Sequence, residues 1–182
     1  MVTILQKENK ILRQKAQPVP IKEIKEKKIK KVVEDMKNAM HPIEDAVAIA
    51  APQIGISLRI FVVSGKVFAH QDGNKEENLK PKTPDLKPDL VCINPEIIKR
   101  SKKIGGVEEG CLSIRWLYGD VQRAAKVTLR AYDENGKKFT RGASGLLAQI
   151  FQHETDHLDG ILFIDKAKNM KEMRPKENNL HR

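Results

Sequence analysis

The segment Gln152-His153-Glu154-Thr155-Asp156-His157-Leu158-Asp159-Gly160 constrains this chain more than any other, because two histidines stand four residues apart with a glutamate beside the first. On an α-helix, residues i and i+4 lie one above the other on the same face, so both imidazoles reach a single divalent ion. Glu154 then sits beside the ion rather than on it, placed to exchange protons with water, as in a hydrolase. The neighbouring residues favour the helix. Leu146, Leu147, Ile150, Phe151 and Leu158 recur at helical spacing, Ser144 offers an N-cap, and Gly160 is a natural stop after an uninterrupted 146–159. An amphipathic helix with two ordinary polar histidines carries the same pattern by chance, so the metal reading needs support from elsewhere in the chain.

A catalytic site of this kind takes three protein ligands and leaves a position open for water. Glu108-Glu109-Gly110-Cys111-Leu112-Ser113 offers the third ligand: Gly110 permits close backbone approach and Cys111 supplies a thiolate. A buried apolar thiol is the competing reading of Cys111. It is the better one for Cys92, which lies between hydrophobes in Leu90-Val91-Cys92-Ile93.

The remaining residues outline one domain. At 182 residues, with 40% hydrophobic and 32% charged side chains, the chain is long enough for a real core. No run approaches the ~18 consecutive apolar residues of a membrane span. The first ten residues lack a secretory signal's apolar stretch, so the expected compartment is the cytoplasm, where thiols stay reduced. Residues 20–41 read as a first helix with Ile24, Ile29, Val32, Val33, Met36 and Met40 on one face and lysines opposite. Strands are expected over 58–63, 90–94 and 127–132, with Asp133-Glu134-Asn135-Gly136 as a hairpin turn. Residues 64–89, rich in proline after position 80, read as an exposed insertion, and 166–182 as a basic polar tail behind a single catalytic domain of 1–165. This order predicts an α+β fold, with small, mostly antiparallel sheets packed around a central helix of the C-terminal half that carries the two histidines.

Net charge is +10, yet aromatics are only 4% of the chain, which argues against base-stacking recognition and sequence-specific nucleic-acid binding. Two readings of the charge stand equal: a solvated basic surface, or contact with a phosphate-rich assembly such as a ribosome. Lys166, Lys168, Lys171, Arg174, Lys176 and Arg182 would make that contact.

Glu109-Gly110-Cys111-Leu112-Ser113, Gln152-His153-Glu154-Thr155-Asp156-His157-Leu158 and the upstream Ala50-Ala51-Pro52-Gln53 together resemble, in order and spacing, the three signature motifs of peptide deformylases. The Ile93-Asn94-Pro95-Glu96 strand and the hairpin at 130–136 are also similar to that family, and the likeness runs from about Ile4 to Asp165. It implies hydrolytic removal of the N-formyl group from the initiator methionine of new polypeptides, with N-formylmethionyl peptides as substrates and formate as product. It further implies that Cys111, His153 and His157 hold one divalent metal, Fe2+ natively, with Zn2+, Ni2+ or Co2+ as substitutes. Glu154 becomes general base and then acid, while the Gln53 side-chain amide and the Leu112 backbone N–H become oxyanion donors. Gln53 as a plain turn residue is the alternative. Val47, Ala48, Glu109, Leu146 and Gln149 are the implied substrate contacts, with anchoring of the cysteine loop as a second role open to Glu109. Asp156 and Asp159 read as solvated or as partners of a histidine, and are left outside the site.

Three departures from the family pattern bear on substrate fit. Ala46 and Ala48 replace two usual glycines; a positive φ at either would cost about 1 kcal/mol or more, and otherwise two methyls enter the substrate channel. Ile114-Arg115-Trp116-Leu117-Tyr118 follows the cysteine motif where many members have proline, and Trp116 reads either as a cleft wall or as core. Gln149 stands one turn before His153, where an apolar residue often lines the methionine pocket. Two other functions compete. A zinc peptidase would take its third ligand from His or Glu downstream, where no recognisable motif exists. A binding module without turnover would be expected to have lost one of the ligands, Glu154 or Gln53, and all are present.

Overall fold

The computed structural model of the chain describes residues 2–69 and 87–174. Fourteen residues with apolar side chains at three- and four-residue spacing produce the first helix, α1 (Lys27–Met40), which buries Ile29, Val32, Val33, Met36, Ala39 and Met40. It is shorter than the 20–41 pattern suggested. Glu26 is extended (φ −67°, ψ 150°), so Ile21–Glu23 forms a separate 3-10 turn that still drops Ile24 into the core.

Two sheets follow. β1 (Ala48–Ala50), β2 (Ile60–Val63), β3 (Leu90–Arg100), β6 (Lys126–Tyr132) and β7 (Lys138–Ser144) form a five-stranded sheet in the order β1-β2-β3-β6-β7. The second sheet, in the order β4-β5-β8, has β4 (Ile104–Cys111), β5 (Ile114–Ala124) and β8 (Lys168–Glu172). Every strand pair in both sheets is antiparallel. The β6–β7 turn is the expected one: Asp133 Oδ1 accepts from the N–H groups of Asn135 and Lys137, and Gly136 takes φ +73°. Asn94 also has positive φ, and its side chain exchanges two hydrogen bonds with the Val19 backbone (2.8 and 2.7 Å), fastening the N-terminal segment to β3.

The helix α3 (Gly145–Leu158) runs against both sheets and buries Leu147, Ile150, Phe151 and Leu158. Phe151 meets Phe61 of β2 with ring centroids 6.0 Å apart. Ser144 is the N-cap residue by position, although its hydroxyl makes no capping bond. At the other end Gly160 turns the chain with φ +74°; a β-carbon there would lie 2.6 Å from the Arg13 carbonyl oxygen, so only glycine fits. The α+β arrangement of antiparallel sheets around the histidine-bearing helix is therefore as the sequence predicts.

Two boundaries differ from expectation. The exposed insertion does not start at Ser64: that residue is buried, residues 66–69 form the short helix α2 (Lys66–Ala69), and Val67 and Phe68 are 5% exposed within the core. Residues 70–86 of that insertion lie outside the described residues. Nor is 166–182 simply a tail, since β8 extends the smaller sheet by pairing with β5 at Leu117↔Glu172, Tyr118↔Lys171 and Asp120↔Lys168. The segment is too polar to read as a strand from its pattern; backbone pairing alone places it there. Residues 175–182 are outside the described residues.

Candidate active site

Two elements that are distant in sequence bring the reactive groups together. The tight β4–β5 hairpin presents Cys111 at its tip, with Cys111 opposite Ile114 and only Leu112 and Ser113 between. Gly110 is required by packing, for a β-carbon at that position would fall 2.7 Å from the Tyr118 ring on the returning strand. Helix α3 supplies His153, Glu154 and His157 from one face. The Gln152 side chain bridges the backbone N–H and C=O of Ala124 (3.0 and 3.1 Å), fixing the helix against the end of β5.

Ligand atoms of Cys111, His153 and His157 all lie within 4.8 Å of one another. Cys111 Sγ is 3.2 Å from His157 Nε2, and the two imidazoles meet edge to face at 4.9 Å. Burial tends to raise the Cys111 pKa, but His157 and His153 outweigh it and bring it down from the ordinary 9.0 to about 5, so the sulfur is a thiolate. On the reverse side of His153, Nδ1 meets Glu109 Oε2 at 2.9 Å, which leaves Nε2 to face the cluster. One soft thiolate with two imidazoles suits Fe2+, Zn2+, Ni2+ or Co2+. Two buried polar atoms beside this triangle, Glu154 Oε2 and His157 Nδ1, have no partner among the described residues. A buried carboxylate oxygen without a donor is a place for a bound ion and its water, so the residues fit a divalent metal.

Glu154 is buried on the same face, and burial raises its pKa above the ordinary 4.5 despite the opposing pull of His153 and His157. Gln53, in the 3-10 turn Ala51–Ile54, accepts from the Ala50 N–H through Oε1 (2.8 Å). That bond fixes which way the amide points, and its Nε2 lies 3.1 Å from Ser113 Oγ and 3.5 Å from Cys111 Sγ. The Leu112 N–H, at the hairpin tip, has no acceptor among the described residues.

A cleft of about 310 Å³ opens onto these groups. Ala46, Val47 and Ala48 form one wall, Leu146 and Gln149 another, and residues 114–118 a third, so Trp116 is wall rather than core. Ala46 and Ala48 are 2% and 7% exposed and belong to two core clusters, and neither residue has positive φ. The backbone cost considered for these alanines therefore does not arise. Gln149 lines the cleft, but its amide Nε2 donates to the Glu108 carbonyl at 2.8 Å.

Glu109 is held by its partners. Arg123 Nε donates to its Oε1 (2.7 Å) and Nη2 to its Oε2 (2.9 Å), so both carboxylate oxygens are engaged inside the protein. Of the two roles open to it, these contacts support the anchor of the cysteine loop. Burial opposes its charge, yet Arg123 and His153 pull its pKa down from 4.5 to about 2. Arg123 reaches further, donating from Nη1 to Asp156 Oδ2 (2.6 Å), and Lys166 meets the same carboxylate at 2.7 Å. Asp156, which the pattern left outside the site, is thus part of its scaffold, whereas Asp159 pairs with Arg59 away from it. Arg123 carries no motif signal, and Ser113, although it closes the cysteine motif, is given no role by it.

The sequence and the fold have known relatives. A sequence model of polypeptide deformylases matches residues 1–173. Peptide deformylase 2 of Clostridium acetobutylicum is 39% identical over 158 residues, covering 87% of this chain and 89% of that protein. The enzyme of Roseiflexus castenholzii is 40% identical over 166 residues, covering 90% and 84%. Among solved structures, a Met-Ala-Ser-bound peptide deformylase from Acinetobacter baumannii superposes with a TM-score of 0.75 at 32% identity, covering 91% of this chain and 97% of that one. One from Synechococcus elongatus, in complex with actinonin, gives 0.74 at 32%, covering 92% and 79%. A family model matching nearly the whole chain and relatives at about 40% identity show that the chain belongs to the peptide deformylase family, the metal-dependent hydrolases that remove the N-formyl group from nascent polypeptides.

Proposed function

We propose that this chain deformylates N-formylmethionyl peptides with one Fe2+ held by Cys111, His153 and His157, and with Glu154 as its proton carrier. The orphaned, buried Glu154 carboxylate next to the ligand triangle is the observation that carries the proposal. When bound, the ion acidifies water and polarises the formyl oxygen. Glu154, kept out of solvent, takes the proton of the attacking water and returns it to the departing amine. Charge that builds on the formyl oxygen meets two donors, Gln53 Nε2, oriented by the Ala50 N–H, and the unpaired Leu112 N–H.

The peptide backbone has a docking edge. β1 is the outer strand of its sheet, and Val47 uses its carbonyl towards Ser64 on the β2 side. Because backbone groups alternate along a strand, the N–H and C=O of Ala48 and the C=O of Ala46 point the other way, free to receive an extended peptide. Val47, Leu146 and the stem of Gln149 then flank the methionine side chain. Two further elements complete the reading. The reaction belongs in the cytoplasm, where nascent chains emerge and the free thiols Cys92 and Cys111 stay reduced. Ribosome association would run through Lys168 and the basic residues beyond 174, since Lys166, Lys171 and Arg174 are paired with Asp156, Glu108 and Glu172.

The test is formate release from formyl-Met-Ala-Ser by anaerobically prepared, iron-loaded protein, with Glu154→Ala as control. Turnover that disappears in the variant while iron stays bound supports the proposal. Equal turnover in the two proteins removes Glu154 from the mechanism. For the ribosome element, Lys168→Glu with Lys176→Glu should reduce co-sedimentation at low salt, and an unchanged pellet would sink it.

A further inference from the structure

We propose that Arg115 is a specificity residue, a guanidinium held at the far end of the cleft to receive a carboxylate three residues into the peptide. The inference rests on the functional reading above. It starts from an ion pair joining opposite walls of the cleft. Arg115, at the start of β5, donates from Nη1 to both carboxylate oxygens of Asp45 (3.1 and 3.3 Å), a residue 70 positions earlier that leads into β1.

Arg115 is unusually well fixed for a surface arginine. Its guanidinium carbon lies 5.4 Å from the centroid of the Trp116 ring. Trp116 itself has φ +66°, a left-handed conformation that bulky residues rarely adopt. The Met173 N–H holds that backbone by donating to the Trp116 carbonyl at 2.7 Å, immediately beyond β8. Strained backbone maintained by neighbouring structure is a frequent mark of a functional position. Only one guanidinium nitrogen is used by Asp45. Nε and Nη2 have no partner among the described residues, and the side chain, 28% exposed against 59% for Asp45, lines the cleft. The result is a cation aimed by one carboxylate and one ring, with donors to spare. Exchange of Arg for Lys would lose this planar fork.

Register places it on the third residue. An extended peptide that pairs its methionine with the outward-facing groups of Ala48 pairs its third residue with Ala46, because partners recur every second residue. Asp45 is the next residue along that line, about 3.3 Å beyond Ala46, and its ion pair holds the Arg115 guanidinium there, where the carboxylate of a third residue would leave its pairing position. The ligand chemistry is therefore a carboxylate on residue three, either its side chain or a free C-terminus.

The experiment measures kcat/KM for formyl-Met-Ala-Ser and formyl-Met-Ala-Asp as free acids and C-terminal amides, with iron-loaded wild-type protein, Arg115→Met, Arg115→Lys and Asp45→Asn. The expected result is that Arg115→Met lowers the ratio of acid to amide substrate about tenfold, the loss of one charge-assisted hydrogen bond at a half-open site. Arg115→Lys recovers part of that ratio, and Asp45→Asn raises it, because a competing carboxylate is gone. A merely structural role for the pair would lower all four substrates together and leave the ratio where it was, which overturns the inference while the deformylase reading stands. No turnover of any formylated peptide by the wild-type chain would overturn both.

Discussion

Replacing Arg123 by methionine should cost this protein about 3–5 kcal/mol, the usual penalty for removing one partner of a buried ion pair and leaving the other uncompensated. The structure sets the upper end of that range. Arg123 and Glu109 side chains are 6% and 1% exposed, three guanidinium nitrogens are engaged, and the freed Glu109 would retain only His153. At roughly 2–4 °C per kcal/mol for a chain of this size, the melting temperature falls by about 6–20 °C. Denaturant titration of the metal-loaded protein should show a lower midpoint with an unchanged slope. Adding Glu109→Gln to Arg123→Met removes the stranded charge and should recover part of the loss, so the two substitutions are non-additive. Metal affinity should also drop, by about 10–100-fold, because Glu109 is what orients His153. A single-variant cost below about 1 kcal/mol, or a double variant less stable than Arg123→Met alone, would refute the view that this pair holds the site.

Acid should release the same network in a defined window. The folded-state pKa of Glu109 is depressed to about 2 from 4.5, so its contribution is present above about 4.5 and is lost as pH falls from there towards 2; in Glu109→Gln that part of the acid-unfolding curve should flatten. Gly110→Ala should destabilise by roughly 1–3 kcal/mol through overpacking against Tyr118, and Tyr118→Leu should restore most of it, as read by thermal melting. Ala48→Gly should lower stability by about 0.5–1 kcal/mol without improving kcat/KM; a tenfold gain would show that the alanine methyl blocks the channel after all.

What the sequence made legible was whatever has a period or a motif. The alternation of Val127 to Tyr132, the turn at Asp133–Gly136 and the apolar stripe of 146–158 each follow from local rules, and each is where it was expected. Cys111, His153 and His157 were legible because a ligand set needs fixed residue types. β8 was not, since Lys168–Glu172 is exposed throughout and owes its conformation to hydrogen bonds with β5 rather than to its own side chains. The start of the insertion failed for the opposite reason: Val67 and Phe68 are apolar enough to enter the core, but only two residues long, too short for a period.

Arg123 shows why the scaffold of a site is harder to read than its ligands. It stands 14 residues after Glu109 and 33 before Asp156, spacings that correspond to no helix or strand repeat, and it becomes meaningful only when β4, β5 and α3 are packed together. Yet it sets the geometry of the ligand triangle. Cys111 belongs to the hairpin and the histidines to the helix, and the Gln152 side chain ties that helix only to Ala124, at the end of β5 remote from the hairpin tip. Two carboxylates, one from each element, share the single guanidinium, and one of them fixes the ring of His153. The distance between thiolate and imidazole is therefore under the control of a buried charge network that burial alone would destabilise. Such a network is justified only if rigidity at that point matters more than stability, which is the requirement of a catalyst whose water, proton carrier and oxyanion donors must keep fixed positions through turnover.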